Sequence, residues 1–137
     1  MNDHFSRRSY PIPEAPSAST LPSSSSARPL PHQRLLAYQV ALRFVAAVHA
    51  ASIRDAHLRD QALRAATSAC LNTAEGAARV SRADRSRSFV IARAEACEAA
   101  AAVEIAAAAG FTAAASLPPV LDQADHLVAL LTGLITR

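Results

Sequence analysis

Alanine dominates the middle of this chain, and it limits the fold more than any other feature of the sequence. Alanine has the highest helix propensity of any residue, yet it contributes little apolar area when it packs. The 137 residues include only three glycines, aromatic residues make up 4% of the chain, and runs of β-branched residues are almost absent. The composition therefore predicts an all-α fold, and the length allows one domain at most.

The N-terminal segment has a different composition from the rest of the chain. Residues 1–30 hold most of the prolines and a serine run at 23–26. Few large apolar residues are present, so the segment cannot bury enough surface to offset the entropy lost on ordering. We predict a disordered tail over residues 1–30 and a folded domain over residues 31–137. The start of the chain has no apolar signal-peptide core, which favours a cytoplasmic protein, and the two cysteines are expected to be buried free thiols.

Apolar residues recur at intervals of three and four in four segments of the folded part. This spacing predicts helices at about 31–53, 58–78, 82–109 and 117–136. Four helices with short connections favour an antiparallel up-down-up-down four-helix bundle. The expected helix boundary residues are Ser81 and Ser116 as N-caps and Gly110 as a helix end.

The first and last helices carry apolar residues on more than one face. The predicted core stripe of the first helix consists of Leu35, Tyr38, Leu42, Val45 and His49. Further apolar residues, among them Val40 and Phe44, fall on other faces of the same helix. A small bundle buries one face of each helix, so the second face is expected to form a subunit interface.

The segment 64–79, RAATSACLNTAEGAAR, places uncommon polar residues inside an alanine-rich helix. The spacing turns Asn72 towards the bundle, where a buried amide needs hydrogen-bond partners. Glu75 points in nearly the same direction and needs a nearby cation. We predict a structural polar clasp of Asn72, Glu75 and Arg64 that fixes the turn between the second and third helices. If these groups are buried and paired, we expect Asn72→Ala or Glu75→Ala to cost a few kcal/mol.

All basic residues of the chain are arginines, and the formal net charge is only +3. The arginines are unevenly distributed, because the segment 79–93 contains five of them and one acidic residue, Asp84. Such a cluster can neutralise phosphate groups, whereas the alternative interpretation is a solvated helix start. The candidate nucleic-acid or partner-binding residues are Arg79, Arg82, Arg85, Arg87 and Arg93.

No pattern in the sequence indicates catalysis, a cofactor or a metal. None of the five histidines lies at metal-ligand spacing from a carboxylate or cysteine, and the glycines are too few for a phosphate-binding loop. Glu75, Glu98 and Glu104 could converge as acid–base groups, but ion pairs or interface contacts explain them more simply. We therefore expect a non-enzymatic protein without a cofactor. The apolar run at 105–121 is too weak and too interrupted to span a membrane.

The polar segment resembles the small bacterial four-helix-bundle family of proteins encoded in intervening sequences of large-subunit ribosomal RNA genes. The accessory variability determinants of diversity-generating retroelements resemble the same fold family. The resemblance covers about residues 32–137, with Tyr38 in place of the usual tryptophan and Glu95 in place of serine. The matching residues are Arg64, Ala65, Ala66, Ser68, Asn72, Ala74, Glu75, Gly76, Arg79 and Ser81, with support at Phe89, Ala92, Ala94, Glu98, Gly110 and Phe111.

The resemblance implies an antiparallel four-helix bundle that assembles into a ring, commonly a homopentamer. The related retroelement proteins are basic barrels that bind a reverse transcriptase and nucleic acid. The expected partners of this chain are accordingly further copies of itself, and RNA, DNA or a reverse-transcriptase-like protein. The alternative is a structural or protein-interaction scaffold with no nucleic-acid role.

Overall fold

The computed structural model describes residues 27–137, so most of the predicted tail, residues 1–30, lies outside the described part of the chain. Over that part there are four α-helices and no strand, which confirms the predicted all-α class. The helices are α1 (Leu36–Ala50), α2 (Ala56–Ala78), α3 (Arg82–Ala108) and α4 (Leu117–Ile135), with short 3₁₀ turns at Pro31–Arg34 and Ala114–Ser116.

Helix α1 begins later than the sequence predicts. Residues Pro31–Arg34 form a separate 3₁₀ turn, and Leu35 is extended, with φ −88° and ψ 120°. The turn is closed by Gln33, whose side-chain oxygen accepts a hydrogen bond from the Leu30 N–H at 2.7 Å. Proline fits the first position of this short turn just as well as that of a longer helix. The predicted single helix over 31–53 is therefore divided at Leu35.

The buried face of α1 differs from the predicted core stripe. Leu42 is 50% exposed and His49 is exposed, although both belong to that stripe. The prediction followed the large side chains and gave no weight to alanine, which takes the positions where neighbouring helices approach most closely. The residues of α1 that are buried are Ala37, Val40, Ala41, Phe44 and Val48.

Alanine makes up most of the buried residues of α2 and α3. Ala62, Ala65 and Ala69 of α2 are buried. Small side chains allow the two helix backbones to approach closely, and dense packing then replaces large buried surfaces. The predicted inner face of α3 is confirmed, since all its members are buried: Phe89, Ala92, Ala96, Ala99, Val103 and Ala106.

Different interactions stabilise the starts of α2, α3 and α4. Asp55 caps α2, its carboxylate accepting the Leu58 N–H at 2.8 Å. Ser81 caps α3 as predicted, its hydroxyl oxygen accepting the Asp84 N–H at 3.1 Å. The predicted cap of α4 is wrong, because the side chain of Ser116 makes no capping bond and the first turn of α4 instead contains prolines.

Helix α3 ends at a glycine in the left-handed region. Gly110 has φ +78°. Its N–H donates to the Ala107 carbonyl at 3.2 Å, and the Phe111 N–H donates to the Ala106 carbonyl at 2.8 Å. This pair of bonds is a Schellman motif, which satisfies carbonyls at the helix end and favours glycine at the turning residue. The predicted helix-ending role of Gly110 is confirmed.

The chain after Gly110 is bonded to the α1–α2 connection, and we call these contacts the loop tie. The Arg54 N–H donates to the Phe111 carbonyl at 2.9 Å, and the Arg54 guanidinium donates to the Gly110 carbonyl. The buried hydroxyl of Thr112 donates to the Ala51 carbonyl. The loop tie therefore holds the end of α3 against the end of α1 and the start of α2.

Candidate nucleic-acid interface

All five predicted arginines are exposed, but they do not form one continuous patch. Arg79 is the C-cap of α2, and the other four lie in the first half of α3. An α-helix turns by one revolution every 3.6 residues, so Arg82, Arg85 and Arg93 lie within about 80° of one another around α3, whereas Arg87 points to the other side. The structure places four of the five in two pockets at the start of α3, Arg79 and Arg87 beside α2 and Arg82 and Arg85 beside α4.

The pocket beside α2, which we call the α2-side pocket, has a volume of about 380 Å³. Its lining contains Arg79 and Arg87 together with the carboxylates of Glu75 and Asp84. Two arginines and two acidic residues give this pocket a balanced formal charge. The Glu75 carboxylate accepts hydrogen bonds from Arg79, and this bond together with its charge raises the pKa of Arg79.

The pocket beside α4, which we call the α4-side pocket, is smaller, with a volume of about 140 Å³. Arg82 and Arg85 of α3 line it together with Arg137, which follows α4. Leu134 and Ile135 are its apolar residues, and no acidic side chain contributes to the lining. Three arginine residues therefore line one small concavity whose wall contains no aspartate or glutamate.

Arg93 lies further along the contact between α3 and α4. Its Nε donates to the Thr132 hydroxyl at 2.9 Å, and that hydroxyl donates to the Val128 carbonyl at 2.7 Å. Arg93 is separated from Arg82 by eleven residues of helix, or about 16 Å along the axis of α3. A single phosphate group cannot reach both positions, so Arg93 would contact a different part of a polyanionic ligand.

Most of these guanidinium groups keep their donors available. The Glu75–Arg79 pair is the one ion pair within residues 27–137. Arg82, Arg85, Arg87 and Arg137 donate no hydrogen bond to any residue of that region, and all four are exposed. A guanidinium presents several N–H groups in a planar fork that matches the oxygens of a phosphate.

The predicted polar clasp is not the arrangement that the structure shows. Asn72 is half-buried, and its amide donates to the Ser68 carbonyl at 2.9 Å and to the Ser68 hydroxyl at 3.2 Å, both one turn earlier in α2. Glu75 pairs with Arg79 rather than with Arg64, which is exposed and bonds to no residue within 27–137. These contacts stay inside one helix and its cap, because side chains four residues apart are neighbours on a helix surface.

The polar residues of the segment therefore line the exposed edge of α2 beside α3. Glu75 and Arg79 are both about half exposed, at 47% and 52% of their side-chain surface. Exposed pairs of this kind contribute little to stability. The condition for a loss of a few kcal/mol on Glu75→Ala, burial of the pair, is therefore not met.

Arg137 and Thr132 were not among the predicted site residues. The prediction followed arginines that are close in the sequence, whereas Arg137 is brought to Arg82 and Arg85 by the packing of α4 on α3. A signal was available, since the predicted up-down topology places the end of the fourth helix beside the start of the third.

Other chemistry-bearing residues are dispersed. Over residues 27–137, no group of three or more histidine, cysteine, aspartate or glutamate side chains could hold a metal ion. Cys70 is a buried free thiol as predicted, and burial raises its pKa. Cys97 is a free thiol but exposed, which corrects the prediction of two buried thiols. Glu98 accepts a hydrogen bond from Gln61, so it is engaged away from Glu75.

Comparison with known families gives a clear result for the folded part of the chain. The model of the 23S rRNA-intervening sequence protein family matches residues 33–133. The chain belongs to the 23S rRNA-intervening sequence protein family. The match runs from the turn before α1 into α4, and it includes all five predicted arginines, whereas Arg137 lies beyond it. No curated protein sequence matches the chain.

Membership of the 23S rRNA-intervening sequence protein family confirms the resemblance drawn from the segment 64–79. The relation to retroelement determinants stays a prediction. No helix within residues 27–137 has both the length and the apolar character needed to cross a membrane.

Proposed function

We propose that this chain is a non-enzymatic, oligomeric four-helix-bundle protein that binds nucleic acid, or an enzyme acting on nucleic acid, through the arginines at the start of α3. The observation that carries the proposal is the set of exposed guanidinium groups there, most of which have no partner within the described residues. The family description, which refers to 23S rRNA, supports RNA as the first ligand to test. A reverse-transcriptase-like protein is the corresponding protein partner.

The proposed assembly is an antiparallel up-down-up-down bundle that forms a ring, specifically a homopentamer in the cytoplasm. Its support is the exposure of large apolar side chains on three helices, including Leu36 and Leu42 of α1, Leu71 of α2 at 64% and Ile105 of α3 at 55%. Exposed apolar surface of this kind marks interaction sites. Five copies carry five times the formal charge of +3, which strengthens attraction to a polyanion.

Titration of a labelled RNA with the protein at low salt tests the nucleic-acid proposal. We expect micromolar binding, with log K falling linearly with log salt concentration because phosphate contacts release counterions. A variant with glutamine at positions 79, 82, 85, 87 and 93 is expected to lose binding and to keep its helical circular dichroism spectrum. Absence of RNA and DNA binding at micromolar protein would contradict the proposal.

A protein-interaction scaffold without a nucleic-acid role is the second candidate, and the same exposed apolar residues favour it. Light scattering combined with the RNA titration separates the two candidates. An oligomer that binds no nucleic acid supports the scaffold, and an oligomer that binds RNA supports the first proposal. A monomer at micromolar concentration contradicts the ring in both cases.

A further inference from the structure

We propose that the α4-side pocket is a phosphate-binding site and the primary point of contact with a nucleic-acid backbone, with Arg137 as an essential member. This inference rests on the proposed function and assigns it to one side of α3. The linear cluster of five arginines does not predict such a preference, because by sequence alone Arg87 and Arg82 are equivalent.

The charges around the two pockets differ, although both contain arginines. In the α2-side pocket, Glu75 and Asp84 offset Arg79 and Arg87. A phosphate entering there meets two carboxylates as well as two guanidinium groups. The α4-side pocket is lined by three arginines and by no aspartate or glutamate. Like charges repel and opposite charges attract over these short distances, so a phosphate is favoured beside α4.

The geometry of the α4-side pocket also suits a single phosphate group. Arg82 and Arg85 come from the first turn of α3, and Arg137 follows the end of α4. Ser86 adds a hydroxyl to the lining, and Leu134 and Ile135 reduce contact with water on one side. Guanidinium groups approaching from two helices can bind different oxygens of the same phosphate.

The start of α3 contributes in the same direction. Its first backbone N–H groups lie at the positive end of a helix of 27 residues, which favours an anion nearby. Asp84 lies in the same turn and offsets part of this effect, but its carboxylate accepts a hydrogen bond from Ser81 and it lines the pocket beside α2 rather than the α4-side pocket. Arg93, tied to Thr132, then extends the positive surface along the α3–α4 contact to a further phosphate.

Fluorescence anisotropy with a labelled oligouridine at low salt tests the assignment. The three single variants Arg137→Gln, Arg87→Gln and Arg43→Gln each remove one exposed charge that has no partner within residues 27–137. We expect Arg137→Gln to weaken binding about tenfold, because it removes charge-assisted hydrogen bonds. It should also reduce the slope of log K against log salt by about one.

The other two variants serve as comparisons. Arg87→Gln tests the α2-side pocket, and Arg43→Gln, on α1, tests loss of charge alone. We expect each to weaken binding by roughly twofold, since distant surface charges are screened by salt. Equal losses for all three variants, or a larger loss for Arg87→Gln, would overturn the assignment while leaving nucleic-acid binding in place.

Titration with inorganic phosphate separates failure of the pocket from failure of the proposed function. The readout is the side-chain Nε–H signals of arginine in ¹⁵N NMR spectra, assigned by the same variants. If the wild-type protein binds no RNA but phosphate shifts the signals of Arg82, Arg85 and Arg137, the pocket stands and the nucleic-acid role falls. If phosphate shifts none of these signals and RNA does not bind, both are overturned.

Discussion

At the scale of single residues, Gly76 and Phe89 mark a point where α2 and α3 pack closely together. A Cβ atom at position 76 would lie 2.5 Å from a carbon of the Phe89 ring, and that ring is 1% exposed. Real Cβ atoms are not found at such distances, and a fully buried ring has little room to shift. Gly76 is therefore required by packing rather than by backbone conformation.

Gly76→Ala is expected to lower the free energy of unfolding by about 1–3 kcal/mol through overpacking. The matched control is Gly133→Ala in α4, where a Cβ meets no atom within 4 Å. That change is expected to raise stability by up to about 1 kcal/mol because alanine has the better helix propensity. Urea denaturation followed by circular dichroism, at fixed protein concentration, measures both. Equal effects of the two substitutions would contradict the packing argument.

The thiol of Cys70 should make the free energy of unfolding fall at alkaline pH. Burial raises the pKa of its thiol above the ordinary value of 9.0, so the folded state holds the proton more tightly than the unfolded state. The contribution is complete below pH 9.0 and is lost as the pH rises from there through the pKa of the folded state. Cys70→Ala should remove this alkaline loss, whereas Cys97→Ala, which retains Cys70, should keep it. Urea midpoints on both sides of pH 9.0, under reducing conditions, provide the measurement.

At the scale of elements, the start of α3 depends on the cap at Ser81, and the start of α4 does not depend on a cap at Ser116. Ser81→Ala removes the acceptor for the Asp84 N–H and should cost about 1 kcal/mol of unfolding free energy. Ser116→Ala removes no capping bond, and we expect it to be nearly neutral. Thermal or urea unfolding of the two variants is the test, and a larger loss for Ser116→Ala would show that the structural assignment of the caps is wrong.

Sequence reasoning predicts the helices well where polar residues or glycine define their ends, and less well elsewhere. Ser81 and Gly110 have local hydrogen-bonding and conformational roles, and both are confirmed. The start of α1 has no comparable signal, because Pro31 fits a short 3₁₀ turn and a long helix equally. The buried face of α1 was misassigned since alanine carries almost no hydrophobic signal, although Ala37 and Ala41 lie at the core.

The candidate site was also predicted only in part. The charge excess between residues 79 and 93 identifies the five arginines directly from the sequence. Their separation into a balanced pocket and an acid-free pocket depends on which helix packs against each side of α3. This packing cannot be deduced from local sequence patterns, and the position of Arg137 beside Arg82 and Arg85 depends on it as well. The choice of Arg79 rather than Arg64 as the partner of Glu75 is set by side-chain reach within one helix.

At the scale of the whole described molecule, a formal charge of +3 conceals a strong asymmetry. Arginines gather where α3 begins and α4 ends. The acidic excess lies in Glu104 of α3 and Asp122 and Asp125 of α4, whereas Arg54 and Arg59 offset Asp55 and Asp60 at the start of α2. An uneven distribution of this kind orients a protein in the field of a polyanion before contact is made. The net charge alone therefore underestimates the attraction to nucleic acid.

The loop tie has a consequence for how the bundle opens. Its bonds, from Arg54 and Thr112, fasten backbone carbonyls of two connections that are distant in the sequence. Regions held in this way unfold locally less often than regions joined only by short turns. In native-state hydrogen exchange, we expect the amides of Arg54 and Phe111 to exchange slowly, at rates close to global unfolding. Thr112→Val should accelerate their exchange selectively, without a similar increase at the arginine-bearing start of α3.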